Sequence, residues 1–225
     1  MRLWSDSFSE GGLLPARCAF SCIDGAQKTR LAENRNPHLA WDDVPAAAHS
    51  LALFCRDVDA LASAFAPKPR GGPAARAHAQ AASVPRVDFY HWTLVDIPVA
   101  LHALTEGQFS ELVTPHGKPG PLLPFVIKNG TEHQLRQGLN DYTQSLAADP
   151  NMVGAYFGYD GPCPPRDDQR PHAYVFNLYA LDVARFPLEG PFSGAQARHA
   201  LRGHILDEAQ MYCFYSLNPQ VVAAL

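Results

Sequence analysis

One stretch limits the fold more than any other, the run Gly158-Tyr-Asp-Gly-Pro-Cys-Pro-Pro165 followed, after six polar or turn-forming residues, by His172-Ala-Tyr-Val-Phe-Asn-Leu-Tyr-Ala-Leu181. Gly158 and Gly161 admit backbone angles closed to other residues, while Pro162, Pro164 and Pro165 fix φ and remove three amide donors. The first half can be neither helix nor central strand and reads as a stiff loop. In the second half His172, Tyr174, Phe176, Leu178 and Ala180 alternate with Ala173, Val175, Asn177, Tyr179 and Leu181, so both sides of an extended chain are largely apolar. That pattern predicts a strand buried on both faces. A histidine at its start, after a loop of fixed shape, is held at the rim of a core. There it can serve a ligand, or, on the plainer reading, merely satisfy backbone.

The rest of the composition agrees with a β-rich domain. Twenty prolines and sixteen glycines are spread through apolar segments, which favours short elements joined by turns over a helical bundle. A length of 225 residues suits one domain, spanning 1–225. With 18 basic against 22 acidic residues and no basic stripe, nucleic acid is excluded as a partner. The amino terminus lacks a secretory apolar run and no segment reaches transmembrane length, so a cytoplasmic location is expected. Five cysteines, Cys18, Cys22, Cys55, Cys163 and Cys213, form no Cys-x-x-Cys pair and read as free thiols. Cys18 and Cys22 fit small core positions better than a zinc site.

In chain order, Arg17 to Ile23 reads as a strand before a turn at Asp24-Gly25, and Trp41 as a core anchor. Ser50 to Asp57 is strand-like and ends on Asp57 and Asp59, which face the same way if extension continues. From Leu61 to Arg86 alanine, proline, arginine and glycine dominate without strand periodicity, so an insertion is expected, positioned to fold over a site as a lid. Val87 to Pro98 resumes as a central strand carrying His91-Trp92. Residues 100–123 read as irregular and 128–144 as turns. Ser193 caps a helix over Ala195 to Leu201 that ends at Gly203, and Ala209 to Leu217 is a closing strand.

The order of five motifs is more specific than any one of them. Asn-Pro-His-Leu-Ala-Trp-Asp-Asp-Val-Pro is followed by Asp57-Val-Asp59, His91-Trp92, Gly161-Pro-Cys-Pro-Pro165 and His172-x-Tyr174. Together they resemble the phosphatidylethanolamine-binding protein family, in its bacterial Raf-kinase-inhibitor-like branch, over nearly the whole chain outside the insertion. The resemblance implies a mainly β fold, two antiparallel sheets in a sandwich with a few peripheral helices. It also implies a small pocket for phosphate-like anions or a phospholipid head group, at positions matching Asp57, Asp59, His91, His172 and Tyr174, with Gly161 and Pro162 shaping the adjacent loop. This chain departs from the family pattern at Val58 and Leu61, where prolines are usual, and at Ala173, where an arginine is usual.

The chemistry is coherent on its own terms. Imidazoles donate to phosphate oxygens, most strongly when protonated, and a nearby carboxylate raises a histidine's pKa and fixes its tautomer. At least one of Asp57 and Asp59 is therefore expected to orient a histidine or accept from backbone, while His91, His172 and the Tyr174 hydroxyl face the ligand. On this reading His172→Ala weakens anion binding without unfolding the protein. The expected function is a non-enzymatic binding protein without catalytic residue, cofactor or metal. Its partners are a small anionic ligand or head group and, as the resemblance extends to kinase regulation, a protein; a homodimer is compatible. The rival is a hydrolase or lyase using the same His and Asp side chains as acid and base, against which no serine or cysteine sits in a nucleophile motif.

Overall fold

The computed structural model describes residues 1–26, 28–65, 84–127 and 130–224. Eleven strands are present among them: β1 (Arg2–Trp4), β2 (Ser21–Ile23), β3 (Thr29–Leu31), β4 (Leu39–Asp42), β5 (Ser50–Leu61), β6 (Arg86–Ile97), β7 (Ala103–Leu104), β8 (Leu122–Val126), β9 (Glu132–Gln137), β10 (His172–Leu181) and β11 (Ile205–Tyr215). Three short helices follow the polar turns, α1 (Tyr142–Ser145), α2 (Gly194–Ala200) and α3 (Pro219–Val222). Six strands form one antiparallel sheet in the order β11-β10-β5-β6-β9-β8, and β1-β4-β7 form a second. β2 and β3 make a separate hairpin around the Asp24-Gly25 turn.

The two sheets share a core, as the alternation in the sequence requires. Leu39, Trp41 and Leu104 from the smaller sheet pack with Leu51, Leu53, Trp92, Leu94, Phe176 and Leu178 from the larger. Trp41 and Trp92 are among its largest fully buried side chains, and truncating either costs about 3–5 kcal/mol. The opposite face of the large sheet is covered by α2, where Ala197 and Leu201 meet Phe54, Tyr90 and Tyr179. Ser193 and Gln196 close a capping box at the start of α2. Strands β5, β6 and β10 therefore have both faces covered, which is why their sequences are apolar on both sides.

Several expectations need correction. Arg17 to Ile23 is not one strand: Ala16–Cys18 is a 3₁₀ turn closed by the Cys18 N–H on the Pro15 carbonyl, and only Ser21–Ile23 is extended. Cys18 and Cys22 are both buried, and no disulfide joins any of the five cysteines. Residues 100–144 hold β7, β8 and β9. The last of these, Glu132–Gln137, is polar and is paired on both sides, while β8 lies at the sheet edge, where its Pro124 is tolerated. Of the expected insertion, Leu61 ends β5, Arg86 begins β6 and Ala62–Phe65 is a 3₁₀ turn; residues 66–83 lie outside the described residues.

Two register irregularities shape one end of the large sheet. Cys55 pairs with Trp92 and Arg56 with Tyr90, so β6 carries an additional residue, His91, at this point. Such a bulge lets His91 and the core residue Trp92 turn to the same side although they are sequence neighbours. A second shift separates Asp57, paired with Phe89, from Ala60, paired with Val87. It interrupts β5 at Val58-Asp59.

Candidate pocket at the end of the large sheet

Asp57, His91, His172 and Tyr174, far apart in sequence, line one pocket of about 370 Å³. Registers explain the meeting: Tyr174 of β10 lies opposite Asp57 of β5, which lies opposite Phe89 of β6. His172 stands two residues before that row on β10 and His91 two residues after it on β6, so the two flank it from opposite sides. Apolar walls come from Leu61, Ala64, Phe89, Tyr142 and Leu217, and Cys163, Pro164, Pro165 and the exposed Arg166 form the loop side.

The stiff loop is held by close backbone approach. A Cβ on Gly161 would lie 2.1 Å from the Cys18 carbonyl oxygen, so only glycine fits there. The Gly161 carbonyl accepts from the Tyr142 hydroxyl at 2.7 Å, and the Pro162 carbonyl accepts from the Phe20 N–H at 2.9 Å. Gly161 and Pro162 thus shape the wall from behind and are not part of its surface.

His172 is committed on both ring nitrogens. Nδ1 donates to Asp57 Oδ2 at 2.6 Å and Nε2 to Asp168 Oδ2 at 3.0 Å, an arrangement that two carboxylates impose only on an imidazolium. Burial opposes the charge, but the hydrogen bonds and charges of Asp57 and Asp168 outweigh it and raise the His172 pKa above its ordinary value. Burial likewise works to raise Asp168, yet its bonds to Arg86 and His172 hold its pKa below the usual carboxylate range. Arg86 completes the group, donating from Nη2 to Asp168 Oδ1 at 2.9 Å and from Nη1 to the Asp59 carbonyl at 2.6 Å. Two carboxylates meet two cations, so the cluster is compensated in charge.

Asp59 belongs to this framework and not to the pocket wall. Its N–H donates to Asp57 Oδ1 at 2.8 Å and its Oδ2 accepts from the Ala173 N–H at 3.0 Å, tying the interruption in β5 to the start of β10. The sequence leads to the expectation that at least one of the two aspartates orients a histidine or accepts from backbone; in the structure Asp57 orients His172 and Asp59 accepts from the Ala173 N–H. The expectation that both imidazoles face a ligand does not describe His172, whose donors are used. Asp168 and Arg86 were not singled out by the sequence: Asp168 sits in a polar run and Arg86 at the end of the insertion. Ala173 points away from the cluster, and the guanidinium beside it comes from β6.

His91 is the opposite case. Its Nδ1 lies 2.7 Å from the Asp160 carbonyl oxygen, which can only accept, so Nδ1 carries the proton. Nε2 has no protein partner among the described residues. Burial lowers the His91 pKa, against the opposing pull of Asp57 and Asp160, so the neutral ring with a bare Nε2 is the dominant form at neutral pH. Tyr174 supplies the other unsatisfied group: its hydroxyl is buried, sits beside the Asp57 carboxylate and makes no hydrogen bond of normal geometry. Burial and that carboxylate push its pKa well above the ordinary phenol, so it stays protonated. Among the described residues no group of three or more His, Cys, Asp or Glu side chains is placed to hold a metal ion.

Comparisons with known proteins agree with this architecture. A family model described as phosphatidylethanolamine-binding protein matches residues 4–216. The UPF0098 protein YbhB of Escherichia coli is 28% identical over 219 residues, covering 96% of this chain and all of the relative. A UPF0098 protein of Methanothermobacter thermautotrophicus is 30% identical over 215 residues, covering 96% of this chain and 98% of the relative. The crystal structure of E. coli YbcL, described as a new member of the mammalian PEBP family, superposes with a TM-score of 0.61 at 24% identity, covering 96% of this chain and 97% of YbcL. No described helix is long and apolar enough to cross a membrane.

Proposed function

Because the chain belongs to the phosphatidylethanolamine-binding protein family, we propose that its pocket holds a small phosphate-type anion, free or as a phospholipid head group, and that the protein acts by binding and not by catalysis. One observation carries the reading: the buried Tyr174 hydroxyl, which makes no hydrogen bond, and the ring of His91, whose Nε2 has no partner among the described residues, belong to one cavity. Buried polar groups are ordinarily satisfied, and a pair left open in a cavity is what a ligand completes. The cavity volume of about 370 Å³ suits a phosphate with a short substituent. Arg166 at the loop side adds a positive charge, and the compensated Asp57–His172–Asp168–Arg86 cluster keeps the carboxylates from repelling an anion.

In the acid–base alternative His172 is a poor acid or base, since both of its nitrogens are occupied by carboxylates. Calorimetric titration with phosphate tests the binding reading directly, in the natural protein and in Tyr174→Phe. The substitution removes an unpartnered hydroxyl, so stability is expected to hold or rise slightly while phosphate affinity drops about threefold to tenfold. Identical titrations in the two proteins would remove Tyr174 from the site, and the absence of any saturable heat in the natural protein would reject the reading.

A further inference from the structure

The proton positions around His91 narrow the ligand further, on the premise that the pocket binds an anion. The segment that fixes them is heavily pinned. The Asp160 carboxylate, fully buried, accepts from Asn34 Nδ2 at 2.6 Å, Lys118 Nζ at 2.7 Å and Asn140 Nδ2 at 2.8 Å. The Asp160 N–H donates to the His91 carbonyl at 3.1 Å, so Asp160 and His91 are joined twice, by this bond and by the ring bond to the Asp160 carbonyl. With four such ties Asp160 cannot turn its carbonyl away, and the proton of His91 stays on Nδ1.

The pocket floor therefore offers mainly acceptors. His91 Nε2 presents a lone pair. Asp57 from β5 presents a carboxylate that accepts from His172 and the Asp59 N–H and lies beside the Tyr174 hydroxyl. His172 from β10 has no donor left, and the Tyr142 hydroxyl of α1 is spent on Gly161. Among the buried side chains that line the pocket only the Tyr174 hydroxyl remains as an open donor; the hydroxyls of Thr29, Ser63 and Ser145 and the charge of Arg166 belong to less buried lining residues. A fully deprotonated oxyanion needs several donors at close range and meets lone pairs instead.

We propose that the pocket selects anions that bring their own hydrogen-bond donor, which Lys118 and Asp160 enforce by holding the His91 Nε2 lone pair toward the ligand. The donor is either the P–OH of a monoanionic phosphate or the ammonium of an ethanolamine head group. Its anionic oxygens then face Tyr174 and Arg166, and its proton lies between the ligand and His91. A site built to accept a ligand proton rejects the analogue that lacks it, because the buried acceptor is left unpaired.

Two matched pairs of ligands test this by calorimetry at about pH 6 to 7, where phosphate monoanion is present and sulfate carries no proton. Phosphate is expected to bind at least about tenfold tighter than sulfate, or glycerophosphoethanolamine at least about tenfold tighter than glycerophosphocholine, whose quaternary nitrogen has no N–H. Which pair discriminates identifies the source of the donor, free phosphate or lipid head group. In His91→Gln an amide N–H becomes available at the same place, and the preferred ratio is expected to narrow. Equal affinities within both pairs overturn the inference while leaving an anion-binding pocket standing; no binding of any of the four overturns both.

Discussion

His91 and His172 line one pocket from strands on either side of β5, yet they are built for opposite states. His172 sits between two carboxylates and holds both protons; His91 faces a backbone carbonyl on one side and an open cavity on the other, and burial keeps it neutral. The difference teaches that residue type does not assign a role in such a pocket. The partner on each nitrogen does. His172 is a framework cation that holds β5, β10 and the 166–171 loop together, whereas His91 is the group with unspent hydrogen-bonding capacity.

The largest effect expected from this contrast is on stability. His172→Ala leaves Asp57 buried without its cation and Asp168 with Arg86 alone, which should cost about 3–5 kcal/mol in chemical denaturation. His91→Ala loses ring contacts to Phe89, Tyr142 and Tyr174 but strands no charge, so its cost should be clearly smaller. A mild His172→Ala that unfolds normally but no longer titrates with phosphate would restore the view, natural from the sequence, of His172 as a ligand donor.

A subtler effect concerns pH. The folded pKa of His172 is raised from 6.5, so its stabilising contribution is complete below that value and is lost as pH climbs through the folded value. The folded pKa of His91 is lowered from 6.5, so its contribution is present above that value and is lost as pH falls through the folded value. Denaturant midpoints measured across pH should therefore change slope in opposite senses in the two single substitutions to Gln: His172→Gln should flatten the alkaline side and His91→Gln the acid side. Slopes changing in the same sense in both would break the contrast.

Much of the fold was legible because its central strands are long and apolar on both faces. Ser50–Leu61, Arg86–Ile97 and His172–Leu181 announce themselves by β-branched and aromatic content, and Ser193 announces α2. β9 did not, because Glu-His-Gln-Leu-Arg-Gln has no alternation; it is held by its neighbours and by the buried Arg136, which pairs with Asp96. The pocket residues Asp57, His91, His172 and Tyr174 were legible as a set, through the order of their motifs. Their division of labour was not. It depends on the bulge at His91, on a carbonyl presented by Asp160 and on Asp168, none of which leaves a periodic or spacing signal. Asp59 shows the same limit from the other side, since its motif position resembles a ligand's while its carboxylate is spent on the Ala173 N–H.

The proton count on the two rings separates the roles of His91 and His172, and long-range ¹H–¹⁵N correlation of the imidazole nitrogens, followed through a pH titration, reads it directly. At neutral pH His172 is expected to show two protonated nitrogens and to keep them above the ordinary histidine range. His91 is expected to show a protonated Nδ1 and a bare Nε2, taking its second proton only below that range. Two rings titrating together near the ordinary value, or a His91 proton found on Nε2, would contradict this assignment.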